Sequence, residues 1–389
     1  MPISRVVPIS LFVQAASVGM VFALLHEVQE ENGLSTASIG LISGVGLFAA
    51  VLGQVGLAPL ADRGRGRELM VAAMVVGSFG ALGFAFGSSL WQLVLARAVS
   101  GIALGAFDPA AQALVSTRDP DRAGELLGRL IGVRTAGFLI GPGLGAIVAN
   151  AGDNDSPFIV TGLLLLVLAP FLARIAPTDA MPTPDSGPTS RLGLLRRRPV
   201  LAATVLTAAL VMPVGLYDAI WAILMDDRGA STLFTGLTLS LYGIPFIALA
   251  PVGGRIADRY GTLRVMPFAL TGIVGVTIVY GLVERPGLLV SLALFEATFN
   301  AFGLPASQAA MAKATAEHER ALGFGVAAAA GQIAAGIAAL ISAPLYDGQG
   351  QFFVFAVLAA GVAVVGAIGL ALARPAIPVA TPAYPADAD

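Results

Sequence analysis

The sequence contains no cysteine, which excludes disulfides, thiol catalysis and cysteine-ligated metals. Its two histidines, His26 and His318, do not make a histidine metal site by themselves. Charge is scarce as well. Only 12% of the residues are charged, against about 25% in soluble domains, so a water-soluble core of this length is excluded. The sequence shows no nucleophile–base set, no metal cluster and no basic face for nucleic acid. Gly64–Gly66 lacks the helix N-terminal context that a phosphate-cradling loop needs. The chain is therefore read as non-enzymatic, with no cofactor, no metal and no nucleic-acid partner.

Apolar sequence is what remains. Of 389 residues, 57% are hydrophobic and 47 are glycine, and the mean hydropathy is +0.85. Glycine in that number suits membrane helices, which pack through small residues because lipid offers no hydrophobic drive between them. A helix needs about 20 apolar residues to cross the hydrocarbon. Such runs fall at 7–28, 37–60, 68–88, 90–115, 126–149, 157–175, 200–224, 232–256, 263–283, 287–310, 321–343 and 351–373. The expected fold class is all-α integral membrane, with twelve transmembrane helices in two pseudo-symmetric six-helix bundles. Residues 1–175 make the first bundle, 176–199 a Pro/Ser/Thr-rich linker, 200–374 the second bundle and 375–389 a disordered tail. The lead MPISR runs straight into an apolar span without a cleavage site, so the first helix is read as uncleaved.

The basic residues are one-sided. Arg5, Arg63, Arg65, Arg67, Arg118, Arg122, Arg191, Arg196, Arg197, Arg198, Arg259, Arg264, Lys313, Arg320 and Arg374 share one face, while Arg228 and Arg285 occupy the other. The positive-inside rule puts both termini and the linker in the cytoplasm of a multi-pass inner-membrane protein.

The chain is duplicated. A shift of 196 carries Asp62-Arg63 of APLADRGRGR to Asp258-Arg259 of GGRIADRYG, and likewise Gly19 to Gly215, Gly40 to Gly236 and Pro109 to Pro305. The turn between spans 2 and 3 resembles the Gly-x-x-x-Asp-Arg-x-Gly-x-Arg motif of the major facilitator superfamily. The second copy matches it at Gly254, Asp258, Arg259 and Gly261; the first departs, with Ala58 for the first glycine and Arg65 for the second. The resemblance covers essentially the whole chain and implies a transporter working by alternating access. It assigns conformational gating to Asp62, Arg63, Arg67, Asp258 and Arg259, with Asp108 at the inner end of span 4 as the expected partner of Arg67 or Arg63. Arg97 and Gly101 resemble the family's Arg-x-x-x-Gly element in span 4.

Span 5 carries Gly128, Gly137, Gly141, Pro142 and Gly145, which resemble the signature of the family's drug:proton antiporter branch, with Ala146 in place of the last glycine. Gly137, Gly141 and Gly145 line one helical face, and Pro142 removes a backbone donor and bends the helix. The expected facing stripe is Ala327, Gly331, Ala335 and Ala339 of span 11. Ordinary small-residue packing is the bland alternative.

In this family spans 1, 4, 7 and 10 line the substrate cavity. Their polar residues are Gln14, Glu27, Arg97, Asp108, Asp218, Glu296 and Asn300. An ionisable group inside a span is a functional-site candidate by default. Glu296 lies closest to mid-bilayer, and desolvation favours the neutral form of a carboxylate, so it is the first proton-carrier candidate. Asp218 either shares that role or binds a cationic substrate, and Glu27 is either a gate or a plain solvated acid. Tyr217, Trp221, Tyr242 and Phe299 are either aromatic cavity walls or lipid-facing side chains. Three functions remain open. The first is proton-coupled efflux of amphipathic small molecules, with the chain as a monomer. The second is a sugar or metabolite exporter, or a proton-coupled uptake carrier. The third is a non-transporting sensor or scaffold, against which the charges on cavity helices count.

Overall fold

A computed structural model describes residues 3–118, 123–176, 191–316 and 319–374. Lipid cannot hydrogen-bond exposed backbone, so apolar runs of this length close their N–H and C=O groups internally as helices. The first half contains α1 (Ile3–Glu31), α2 (Thr36–Leu60), α3 (Gly66–Phe86), α4 (Leu90–Arg118), α5 (Ala123–Ala151) and α6 (Ser156–Ala173). A short helix, α7 (Arg191–Leu195), precedes the second half. That half contains α8 (Arg198–Asp226), α9 (Thr232–Leu241), α10 (Gly243–Tyr260), α11 (Thr262–Tyr280), α12 (Pro286–Ala314) and α13 (Arg320–Ala373).

Among the described residues, eleven stretches are long and apolar enough to span a membrane, and the last of them covers 52 residues. It is two spans, broken at Gly350, where φ is +80° and side-chain-bearing residues are disfavoured. The count is therefore twelve. The eighth span is α9 and α10 together, interrupted at Tyr242 because Pro245 has no N–H to bond the Leu241 carbonyl. Residues 177–190 and the tail 375–389 lie outside the described residues, and the rest of the linker is partly helical, with α8 starting at Arg198.

Glycine sets how closely the helices approach. A Cβ on Gly141 would lie 2.6 Å from the Ala16 carbonyl oxygen, and Gly19 meets the carbonyl of Phe138, so α1 and α5 touch backbone to backbone. In the second half Gly215 of α8 meets Ala335 of α13 in the same way, 196 residues from Gly19. The halves join by a matched pair of contacts. Gly40 of α2 packs on Ala339 and Ala343 of α13, while its repeat mate Gly236 of α9 packs on Pro142 and Ala146 of α5.

These contacts are not spread evenly along the helices. α5 packs closely along α9 but hardly touches α10, and α2 meets α13 through residues 40–48. Among the described residues, the halves therefore close at the end opposite the Asp-Arg turns and separate toward those turns.

Candidate functional site

A cavity of about 330 Å³ lies between the halves, and its walls are mostly apolar. Phe22, Phe138, Tyr217, Trp221, Tyr242 and Tyr280 supply its aromatic surface, with Asn300 and Gln332 among its few polar groups. Trp221 Nε1 and Gln332 Oε1 are buried with no hydrogen-bond partner among the described residues.

Arg97 of α4 reaches across the cavity's closed end to Asp218 of α8. Its Nη2 donates to Asp218 Oδ2 at 2.7 Å, and the two side chains are 2% and 0% exposed. Nη1 donates to the Val18 carbonyl at 3.3 Å, and the guanidinium sits 5.9 Å from the Phe22 ring centre. Gly46 makes the room, since a Cβ there would come within 2.5 Å of Arg97 Nε. Ser43 of α2 donates to the Asp218 carbonyl at 3.2 Å and adds a second tie between the halves. A buried pair of this kind persists because both charges are matched; removing either would leave the other unpaired. Arg97 is therefore not a side chain snorkelling to the headgroups.

Glu296 of α12 is fully buried and lies inside the second half. Tyr217 of α8 and Tyr280 of α11 both donate their hydroxyls to Glu296 Oε2, the latter at 3.1 Å. Both tyrosines also border the cavity, so Glu296 stands behind the wall and not on it. The rings form one cluster: Tyr217 and Tyr280 centroids are 6.3 Å apart, and Trp221 lies edge-on to both. Sequence reasoning missed Tyr280, because its span was not counted among the cavity helices and a tyrosine at a span end reads as an interfacial anchor.

The other candidates sort clearly. Asn300 borders the cavity and donates to Tyr242 Oη at 3.3 Å. Glu27 is half-buried at the closed end and accepts from the Thr232 hydroxyl, joining α1 to α9. Gln14, expected on the cavity, instead packs on Gly77 of α3, because the missing Cβ there opens a slot inside the first half. Phe299 is likewise off the wall. It clusters with Phe268 and Phe295, both more than half exposed on the outer surface.

The gating residues differ from expectation in two ways. Asp108 does not meet Arg67 or Arg63. Its carboxylate accepts from Arg134 of α5 at 3.1 Å and from Gln112 at 3.1 Å, since α5 runs beside α4 at that depth. Arg67 turns to its own neighbour Glu68 at 2.7 Å and to the Ile175 carbonyl at 3.3 Å. In the second half Asp258 lies 3.7 Å from Lys313 at the end of α12, and Arg259 lies over the Tyr260 ring. These pairings all stay within one half. Arg63 is exposed, and the Asp62 side chain lies outside the described residues.

The turns themselves are tight. In the first, Ala61–Arg65 make a kinked turn between α2 and α3 with Gly64 at φ +81°; in the second, Gly261 takes φ +83° after α10. The first copy thus has its left-handed glycine one position earlier than the second, which is why Arg65 can occupy the motif's glycine position.

The span 5 stripe also has a different partner. Gly137, Gly141 and Gly145 face Phe12, Ala16 and Met20 of α1, not the small residues of span 11. The span 11 stripe packs instead on α8 and α2, through Gly215, Gly40 and Gly44. Pro142 acts elsewhere. It breaks the backbone ladder of α5, and Ser240 of α9 accepts from the Gly143 amide at 2.8 Å and donates to the Ile140 carbonyl at 3.3 Å. The break in one half is patched by a side chain from the other. Gly128 has nothing within 4 Å among the described residues.

Comparison with known proteins completes the picture. A family model described as Major Facilitator Superfamily matches residues 9–218 and again 214–387. The multidrug resistance protein MdtG of Proteus mirabilis is 28% identical over 314 residues, covering 76% of this chain and 77% of that protein. The multi-drug resistance efflux pump PmrA of Streptococcus pneumoniae is 24% identical over 270 residues, covering 66% of this chain and 67% of that one. Among solved structures, the nucleoside transporter NupG superposes with a TM-score of 0.75 at 13% identity, covering 96% of this chain and 99% of that one. A bacterial homolog of the human lysosomal transporter Spinster, in an inward-facing and occupied conformation, gives 0.74 at 14%, covering 95% of each chain. With both halves matched, twelve spans around a central cavity and a duplicated Asp-Arg turn, the chain belongs to the Major Facilitator Superfamily.

Proposed function

We propose that this protein is a proton-coupled exporter of amphipathic small molecules, working by alternating access in the inner membrane. The carrying observation is the cavity between the halves: an aromatic, mostly apolar chamber with few polar groups and a carboxylate directly behind its wall. An amphipathic substrate gains from burying apolar surface there, while a heavily hydroxylated one would leave its polar groups unmatched. The names of the relatives, multidrug resistance and multidrug efflux proteins, agree with this reading.

With the basic Asp-Arg end placed in the cytoplasm, the described conformation is open to the cytoplasm and latched on the outer side by Arg97–Asp218 and Glu27–Thr232. Substrate enters from the cytoplasm and contacts Tyr217 and Tyr280. A cationic or dipolar substrate favours the charged form of Glu296, and a proton on Glu296 disfavours that substrate, so the two compete. Opening the outer side requires Arg97 and Asp218 to part, and a rocking motion of the two halves about the cavity accomplishes it. No new cofactor is needed; the proton gradient supplies the free energy.

The test is transport by liposomes containing the purified protein under an imposed pH gradient, using lipophilic cations, neutral drugs and sugars. Drug-like cations are expected to move, and their movement to stop when the gradient is collapsed. Glu296→Gln is expected to keep the melting temperature of the native protein and lose the gradient dependence. Movement of sugars but not of cations, or cation movement indifferent to the gradient, would overturn the proposal.

A further inference from the structure

At the closed end, three ligand-bearing side chains from both halves converge, and the transport cycle described above uses none of them. His26 and Glu30 lie one turn apart on the same face of α1, and Asp226 ends α8. His26 Nε2 is 3.3 Å from Asp226 Oδ2 and 3.7 Å from Glu30 Oε1, and the three donor atoms lie within 4.8 Å of one another. We infer that His26, Glu30 and Asp226 form a divalent transition-metal site, for an ion such as Zn²⁺, that ties the two halves together at the closed end.

The tautomer of His26 carries much of the argument. Gln29 Nε2 donates to the Leu34 carbonyl at 2.7 Å, which fixes the orientation of its amide. Gln29 Oε1 therefore faces His26 Nδ1, 3.0 Å away, and Nδ1 must be the donor. That leaves Nε2 as the lone-pair nitrogen. The His26 side chain is only 9% exposed, and Nε2 is buried without a hydrogen-bond partner among the described residues. A donor held by its second nitrogen through a fixed amide is the support that metal-bound histidines receive. The spacing fits too. Ligands about 2.0–2.2 Å from a tetrahedral zinc stand about 3.3–3.6 Å apart, close to the two histidine–carboxylate separations. The carboxylates are 56% and 61% exposed, so an ion can enter from the aqueous side and a water can complete the shell.

No sequence pattern shows this site. His26 and Glu30 have helical spacing, but Asp226 comes from the other half of the chain, and the reading that assigned no metal weighed only the two histidines, His26 and His318. Because one ligand belongs to the second half, metal binds best when this end is closed, and bound metal opposes its opening.

The experiment uses the full-length purified protein, stripped with a chelator and titrated with zinc chloride by calorimetry and equilibrium dialysis. A single zinc ion per chain is expected. His26→Gln and Asp226→Asn should each weaken binding at least tenfold, and Gln29→Ala, which only removes the supporting amide, by about 10-fold or more. Each variant is first shown to melt as the native protein does without metal. Since the chain has no cysteine, nitroxide labels on Asn150→Cys in α5 and Phe234→Cys in α9 report the distance between the halves near this end. Zinc should narrow that distribution toward its short component in the labelled protein and leave it unchanged when Asp226→Asn is added. The inference is overturned if zinc does not bind, if it binds equally to the variants, or if it leaves the distances unchanged. It is likewise overturned if the variants alter only the pH dependence of those distances, which would make the cluster a protonated latch.

Discussion

The two halves carry their central charges on repeat-related helices, α4 and α12, and use them in opposite ways. In the first half Arg97 leaves its own bundle and pairs with Asp218 of the other, at the closed end of the cavity. In the second half Glu296 turns inward and is held by two tyrosines of its own bundle. A charge pair that crosses between the bundles has to break whenever that end opens. A carboxylate enclosed within one bundle keeps its surroundings through the same motion. The first arrangement suits a latch and the second a proton store. Under the proposed proton-coupled cycle, the two copies of a duplicated sequence would thus divide these two tasks between them.

The sharpest way to break this comparison is to remove the latch. Arg97→Ala should leave Asp218 buried and unpaired, at a cost of about 3–5 kcal/mol to the state closed at that end, and Asp218→Ala should do the same to Arg97. Replacing both should cost far less than the sum. A double-mutant cycle on thermal unfolding, read beside distances between the halves, checks this; additive losses would mean that the pair carries no coupling.

Stripping the cage comes next. Tyr280→Phe is expected to cost about 1–3 kcal/mol, as for a buried acceptor deprived of a donor, and Tyr217→Phe a similar amount. Distances between the halves should not move, because the cage lies within one bundle. A shift in those distances as large as that of Arg97→Ala would erase the distinction drawn here.

The glycines sharpen the comparison within a single motif. Gly141→Ala forces a Cβ against the Ala16 carbonyl of α1 and should cost about 1–3 kcal/mol, like other overpacked interiors. Gly128→Ala, at a site open on all sides, should be neutral or slightly stabilising. Equal melting temperatures for the two would refute a packing role for the stripe. The smallest effect is expected at the pair inside the first half. Arg134 is 35% exposed on its side chain, Asp108 retains Gln112, and Arg134→Ala should change stability by less than about 1 kcal/mol.

Much of this was legible in the sequence because the signals were local or global in character. Span number follows from run length, and the duplication from a constant shift of 196 that brings Gly19 onto Gly215 and Asp62 onto Asp258. Arg97, Asp218 and Glu296 stood out because an ionisable group in an apolar run is expensive. What could not be read was which of them meet. Gln14 and Asn300 look equivalent as polar residues on cavity helices. A slot at Gly77 takes one into the first bundle, and Tyr242 holds the other at the cavity. The span 5 stripe was visible, but its partner was not, since two small-residue helices suit each other wherever they stand.

By itself the sequence determined that this chain is a duplicated, twelve-span membrane protein, because apolar length and repeated motifs are properties of the chain read along its own axis. Only the tertiary structure decided that Arg97 pairs with Asp218, that Glu296 hides behind Tyr217 and Tyr280, and that His26 faces Asp226. Each of those contacts joins residues on different helices, and which faces turn toward one another is set by where backbones can approach. That depends on glycines distributed over every span at once, and no single stretch of sequence contains it.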